Sequence, residues 1–336
     1  MLPLLTAVAV VVAVMSWLSL SGDREALVVY CAHDAVYSQQ ILEDFERETG
    51  IPIEVRFDTE ATKSLGLVEL ILREQEQGRC DVFWNNEQLG MVRLAEAGAL
   101  EPYHGSGYER IPAAYKDPQG RWCGFAGRLR VWIVNTQQLE PTQQAIEQYL
   151  QSASLNRVAI AKPLFGTTRT HYTVLWQHWG PERLKQWHED WRSRDVIEAT
   201  GNAHVKNLVA AGAAWLGLTD TDDFYVGRDD GKPVAQLPYR LADGSTICIP
   251  NTVAIIRGTH RRGDARKLLD YLLSSETELT LARSKSRQIP LGPVNVAQVP
   301  DDVRQLMLWA HKPVDLTQLG EAAAACLEWL RSEYAP

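Results

Sequence analysis

The chain predicts an α/β fold of two lobes, with sheets flanked by helices and a two-stranded hinge. Three observations carry this. Apolar strands and amphipathic helices alternate from residue 27 onward, the pattern of sheets covered by helices. The chain's 336 residues suffice for about two domains. Two long strand candidates, 128–135 and 247–256, bracket the central portion, as when one lobe is inserted into another. The expected first lobe is therefore 26–128 plus 257–336, and the second is 129–256.

The first unit is the most explicit. Residues 27–30 form a short apolar strand. Ile41, Leu42 and Phe45 then share one helical face, with Glu43, Asp44, Glu46 and Arg47 on the other. Gly50 stops the helix, and Ile51, Ile53, Val55 and Phe57 alternate with polar residues at the period of a strand. His33 stands where the first strand ends, the place where open α/β sheets bind ligands. A helix is expected over 66–77, a strand over 80–84 running into Asn85, Asn86 and Glu87, and a helix over 88–97 capped by Gly98. A loop-rich stretch reaches about residue 120. After the strand at 128–135 come a helix near 141–151, a strand at 157–161, and Gly166, Thr167 and Thr168 at the start of another helix. Such a start offers unpaired N–H groups and attracts anions. Trp176, Trp179, Trp187 and Trp191 fall in successive helices at a packing spacing. Asn202 opens a helix over 200–212, 216–225 reads as a strand entering an acidic loop, and the remainder after residue 258 is mostly helical, with a strong helix at 316–332.

Composition narrows the class. Hydrophobic residues make up 45% and charged residues 23% of the chain, as in ordinary globular proteins. The formal charge is −8 and no Lys/Arg run occurs, which excludes non-specific nucleic-acid binding. Residues 1–20 carry no charged side chain and read as an export signal or a retained anchor, 1–22 in all. Either reading places the body of the protein outside the cytoplasmic membrane. The five cysteines, Cys31, Cys80, Cys123, Cys248 and Cys326, show no CxxC or other tight spacing. They form no zinc or redox motif and read as buried thiols.

VVYCAHD, DVFWNNE, LAEAGALEPY, GRLRVWIVN, the FGTT turn and GLTDTDD follow one another in an order that resembles the periplasmic ferric-iron-binding proteins of ABC importers. The resemblance spans nearly the whole chain beyond the leader. It implies a type II periplasmic-binding-protein fold with mixed sheets, capture of a ligand between the lobes, delivery to an ABC permease in the cytoplasmic membrane by a monomeric carrier, and no catalysis. It also implies Fe3+ held with a synergistic anion, carbonate or phosphate. His33 matches the family's histidine ligand. Glu87 matches its glutamate with a one-residue offset, so that Asn86 could take its place. The family's tyrosine pair is replaced by Asp222 and Asp223, with Tyr225 two residues beyond. The anion site maps onto Gly166, Thr167, Thr168 and Asn202, with Arg128 by analogy.

The residues also stand without the family. His33, Glu87, Asp222 and Asp223 offer one imidazole and three carboxylates, a set suited to iron or manganese. A phosphonate or other anionic solute could instead use the Thr167/Thr168 helix end and Arg128 directly. Each residue has a plainer reading too: a hydrogen-bonded histidine, Glu87 and the aspartates at helix starts, the threonines as helix caps. Arg128 and Arg130 stand two positions apart on a strand; one is expected to line the cleft and the other to pair with an acid. Two further functions are a membrane-anchored transferase using Asp220, Asp222 and Asp223 as a DxD metal site, and an extracellular sensor.

Overall fold

A computed structural model describes residues 25–58 and 65–335. The leader at 1–22 lies outside the described residues. Among those described, no helix is long and apolar enough to cross a membrane.

The opening unit forms as its pattern predicts. Strand β1 (Leu27–Cys31) leads into the helix Ala35–Thr49, which buries Ser38, Ile41, Leu42 and Phe45. Gly50 closes that helix in the left-handed region (φ 66°), where its N–H reaches the Glu46 carbonyl. Strand β2 (Ile53–Phe57) returns parallel to β1. The remaining strands are β3 (Val82–Asn85), β4 (Leu100–Glu101), β5 (Cys123–Asn135), β6 (Val158–Ala161), β7 (Ile197–Ala199), β8 (Leu216–Asp220), β9 (Val234–Pro238) and β10 (Cys248–Ile256). Their pairing order is β2-β1-β3-β10-β5-β8-β6-β7, with β4 on β10 and β9 on β5.

This order contains two mixed sheets. In one, β2, β1 and β3 are parallel and β10 is antiparallel to β3. In the other, β7, β6 and β8 are parallel and β5 is antiparallel to β8. Strand β5 serves both: Cys123–Leu129 pair with β10, whereas Arg130–Val134 pair with β8. The changeover therefore falls between Leu129 and Arg130, and β10 crosses beside it with a register irregularity at Pro250/Asn251. Every residue of β5 and β10 is buried. Strand β5 begins five residues earlier than its apolar run predicts because Gly124, Ala126 and Gly127 carry little side chain. Close packing requires that smallness: a Cβ on Gly124 would sit 2.6 Å from the Tyr115 carbonyl.

Two elements differ from the sequence reading. The acidic segment after β8 is the helix Thr221–Asp229, not a loop, and Asp222 and Asp223 lie in its first turn, where the helix dipole favours carboxylates. The carboxyl-terminal helix Gly320–Glu333 does not stay with the first sheet. Its Cys326 and Leu330 join the core formed by Trp132, Leu184 and Leu216, and Trp329 stacks beside Trp176 at 5.7 Å between centroids. The chain transfers at Val314, whose N–H bonds the Thr246 carbonyl at 2.9 Å. The tryptophans of the second half pack on one another, Trp187 and Trp191 at 4.4 Å.

Candidate ligand cleft

A cleft of about 570 Å³ opens beyond the carboxyl ends of β1, β3, β6, β7 and β8. That is the position expected for ligands in open α/β sheets. His33 and Asn86 reach it from the first sheet, Gly166–Thr168, Asn202, Asp220, Asp222 and Asp223 from the second, and Arg128 from the strand both sheets share.

Asp220, the last residue of β8, organises the second-sheet wall. Arg130 Nη1 donates to its Oδ1 at 2.7 Å and also reaches Thr167 Oγ1 at 3.3 Å and Asn202 Oδ1 at 3.1 Å. Thr167 donates its hydroxyl to Asp220 Oδ2 in a short bond. Asn202 Nδ2 donates to both Thr167 Oγ1 (2.7 Å) and Asp220 Oδ2 (3.0 Å), and Thr168 donates to Asn202 Oδ1 at 3.0 Å. The network locks together the starts of the helices Gly166–Trp179 and Asn202–Ala210, so two sets of unpaired N–H groups face one space. Gly166 turns into the first of these helices at φ 54°, a conformation that favours glycine.

Arg128 crosses the top of this wall. It is 3% exposed, donates through Nη2 to the Asn86 carbonyl in a short bond, and holds Nε 3.7 Å from Asp220 and 3.8 Å from Asp222. Its Nη1 has no hydrogen-bond partner among the described residues. One carboxylate oxygen from each of Asp220, Asp222 and Asp223 lies within 4.8 Å of the others. Among the described residues, the guanidinium groups of Arg128 and Arg130 reach these acids. Asp223 accepts from Thr219 Oγ1 at 2.9 Å, which fixes its rotamer.

On the first-sheet side, His33 is buried and stacks on Trp84 at 5.4 Å between centroids. A chain of amides leads to its ring. Asn251 Nδ2 donates to the Ala126 carbonyl and to Gln288 Oε1, each at 2.6 Å. Gln288 consequently turns its Nε2 toward His33 Nε2 at 3.1 Å, a contact in which the amide donates and the ring nitrogen accepts.

Glu87 is placed elsewhere. It is 0% exposed and caps the helix Leu89–Glu96, accepting from the N–H groups of Leu89 (2.5 Å) and Gly90 (3.0 Å). The Arg169 guanidinium stands 3.3 Å away. The extra residue in DVFWNNE explains this: Asn86 faces the cleft and Glu87 falls one position on, at the helix start. Tyr225 also lies off the cleft, 2% exposed, with the Arg228 and Arg287 guanidinium carbons 4.5 and 4.7 Å from its ring centre. Burial pushes its phenol up to about 12. The sequence reading left Asp220 and Arg130 out of its binding set and did not single out Gln288. The only sequence signals were the acid-rich TDTDD and the placing of Arg128 and Arg130 two positions apart, on one strand face.

A family model described as bacterial extracellular solute-binding protein matches residues 27–284. Iron uptake protein A1 of Synechocystis sp. is 23% identical over 279 residues, 78% of this chain and 75% of its own. The solved structure of iron-bound HitA from Pseudomonas aeruginosa superposes with a TM-score of 0.77 at 18% identity, over 91% of this chain and 99% of that one. That of the periplasmic binding protein AfuA from Actinobacillus pleuropneumoniae, with fructose-6-phosphate bound, gives 0.73 at 16% identity, over 92% and 98%. These likenesses agree with the two-lobed fold. The chain belongs to the bacterial extracellular solute-binding proteins, a family of binders and not of enzymes.

Proposed function

We propose that this protein is the extracytoplasmic solute-binding component of an ABC importer and that its cargo is iron. Its lobes, 26–128 with most of the chain after 257, and 129–256, would close on the ligand and present it to a permease. The observation that carries the cargo is the acid cluster Asp220, Asp222 and Asp223, with its carboxylate oxygens within 4.8 Å of one another on one wall of the cleft. Oxygen donors suit a hard cation, and the relatives named for iron uptake and iron binding support the choice. Asp222 and Asp223 would be the principal ligands, since Asp220 is already saturated by Arg130, Thr167 and Asn202. His33 would join them once Gln288 releases its Nε2. Carbonate or phosphate would sit at the Thr167/Thr168 helix end.

The test is a thermal-shift titration of the exported domain with iron(III) nitrilotriacetate. A ligand at 100 times its dissociation constant stabilises by about 2.7 kcal/mol. That gain should disappear in Asp222→Asn/Asp223→Asn, and no shift in the wild type refutes the cargo.

A second reading, a small phosphorylated or phosphonate solute, is favoured by the unpartnered Nη1 of buried Arg128. This group would complete a charge-assisted pair with an oxyanion lying across two helix starts. The fructose-6-phosphate complex of AfuA is consistent with such a use of the fold. Stabilisation by inorganic phosphate or aminoethylphosphonate without metal, lost in Arg128→Met, selects this reading.

A further inference from the structure

Three consecutive residues, Arg287, Gln288 and Ile289, reach three different parts of the binding apparatus. Ile289 pairs with Gly127 through both backbone bonds, at 2.7 and 2.8 Å, two residues before β5 leaves the first sheet. The approach is close: a Cβ on Gly127 would lie 3.1 Å from the Leu291 side chain and 2.9 Å from Cys248 Sγ. Gln288, 0% exposed, sends its amide to His33 on the first-sheet side of the cleft and to Asn251 at the irregularity in β10.

Arg287 points to the other side. Its Nε donates to Asp302 at 2.7 Å, its Nη1 lies 2.7 Å from Asp229, and its guanidinium covers Tyr225. Arg228 closes the ring of charges on the same two acids, at 3.2 Å from each. Tyr225, Arg228 and Asp229 all belong to the helix Thr221–Asp229, whose first turn carries Asp222 and Asp223 into the cleft. Arg287 adopts φ 46°, a left-handed backbone at a non-glycine residue. Such a conformation persists only where surrounding contacts impose it, and it often marks a functional constraint.

We propose that Arg287–Ile289 is a coupling segment: Gln288 positions His33, Arg287 positions the helix bearing Asp222 and Asp223, and Ile289 ties both to the crossing strand. Rotation of one sheet against the other about β5 and β10 must then move both walls of the site together. The inference rests on the two-lobed family fold and on those residues facing the ligand, and it holds for either cargo. Arg287 and Gln288 are positioning residues and touch no ligand themselves. Bistable packing of this kind converts a small movement at a site into lobe closure.

The test is made without ligand, so that failure of iron to bind leaves it intact. All five native cysteines are buried. Spin labels placed through Glu43→Cys and Glu189→Cys, exposed positions on helices that flank the two sheets, report the distance between the two halves. Arg287→Gly, which keeps the backbone conformation, and Gln288→Ala cut contacts on opposite sides of the cleft. Each should broaden the distance distribution in the same direction, and the double variant should go no further than the wider single one. In 1 M salt the wild type should move toward the Arg287→Gly distribution, because screening at that strength reaches only about 3 Å. Distributions matching wild type in both variants overturn the proposal, and so does full additivity between them. Should either truncation fail to fold, Arg287→Lys and Gln288→Asn carry the same comparison.

Discussion

Replacing Arg130 by Met is the most direct probe of how the second-sheet wall is held together. Arg130 is 0% exposed and Asp220 is 3% exposed, and their 2.7 Å contact is supplemented by Thr167 and Asn202. Methionine fills much of the volume but takes from the buried Asp220 carboxylate its 2.7 Å partner, leaving Arg128 at 3.7 Å as the nearest guanidinium. Removing one partner of a buried pair costs about 3–5 kcal/mol. For a folded body of about 310 residues, an unfolding entropy near 2.1 cal/mol/K per residue converts this to a fall in melting temperature of about 5–8 °C. Urea or thermal denaturation of the ligand-free protein measures it. The discriminating variant is Arg130→Met/Asp220→Asn, which removes both charges and should recover more than half of the loss, because a neutral amide no longer needs the cation. A single-variant loss below about 1 kcal/mol, the worth of an exposed pair, would refute the claim that Asp220 depends on Arg130. A double variant no better than the single would show that the cost is packing.

Other consequences are as specific. Burial holds the His188 imidazole below its ordinary value, against the opposing pull of Glu198 and Glu333. The unfolded chain therefore binds more protons below about pH 6.5, the value for a free imidazole, and stability should fall as pH drops through that window. His188→Gln should flatten this slope in denaturation curves between pH 7 and 5. Burial pushes the Cys248 and Cys326 thiols up to about 12. With all five cysteines free and buried, a thiol reagent should count none in the native protein and five after denaturation without reductant. Leu330→Ala, in the carboxyl-terminal helix that packs on the second sheet, should cost about 2–5 kcal/mol, measured by urea unfolding. Thr168→Val should weaken metal-induced stabilisation more in bicarbonate or phosphate than in an inert buffer; equal loss in each would remove the anion from that helix end.

Much of the fold was legible because its signals are local. The period-2 and period-3.6 runs around His33 set β1, its helix and β2 with little displacement, and the two apolar strands that cross between sheets announced themselves by length. The carboxyl-terminal helix was not legible in this way. Amphipathicity shows that a helix has a buried face, but Cys326 and Leu330 carry no mark of which sheet that face will meet. The transfer is made by two backbone bonds to Thr246, from Val314 N–H to its carbonyl and from its N–H to the Lys312 carbonyl, and backbone bonding leaves no trace in residue type.

The site was half legible. Residues two apart on a strand face the same side, and Arg128 and Arg130 accordingly both reach Asp220, at 3.7 and 2.7 Å; the expectation that they divide between the cleft and a separate acid fails on that period. They converge although β5 leaves one sheet and enters the other between them. The same crossing makes Asp220 the central acid of the wall, although the sequence displays it as one of three acidic positions in a run. Glu87 shows the converse. Its carboxylate matched a chemical expectation, but one inserted residue gave it two backbone donors and the Arg169 guanidinium, and a carboxylate so satisfied gains little by turning toward a cation. If Glu87 were a ligand in the closed state, Glu87→Gln would weaken iron binding far more than it destabilises the ligand-free protein. The geometry requires the reverse: lost stability measured by urea unfolding, with iron affinity of the folded fraction retained.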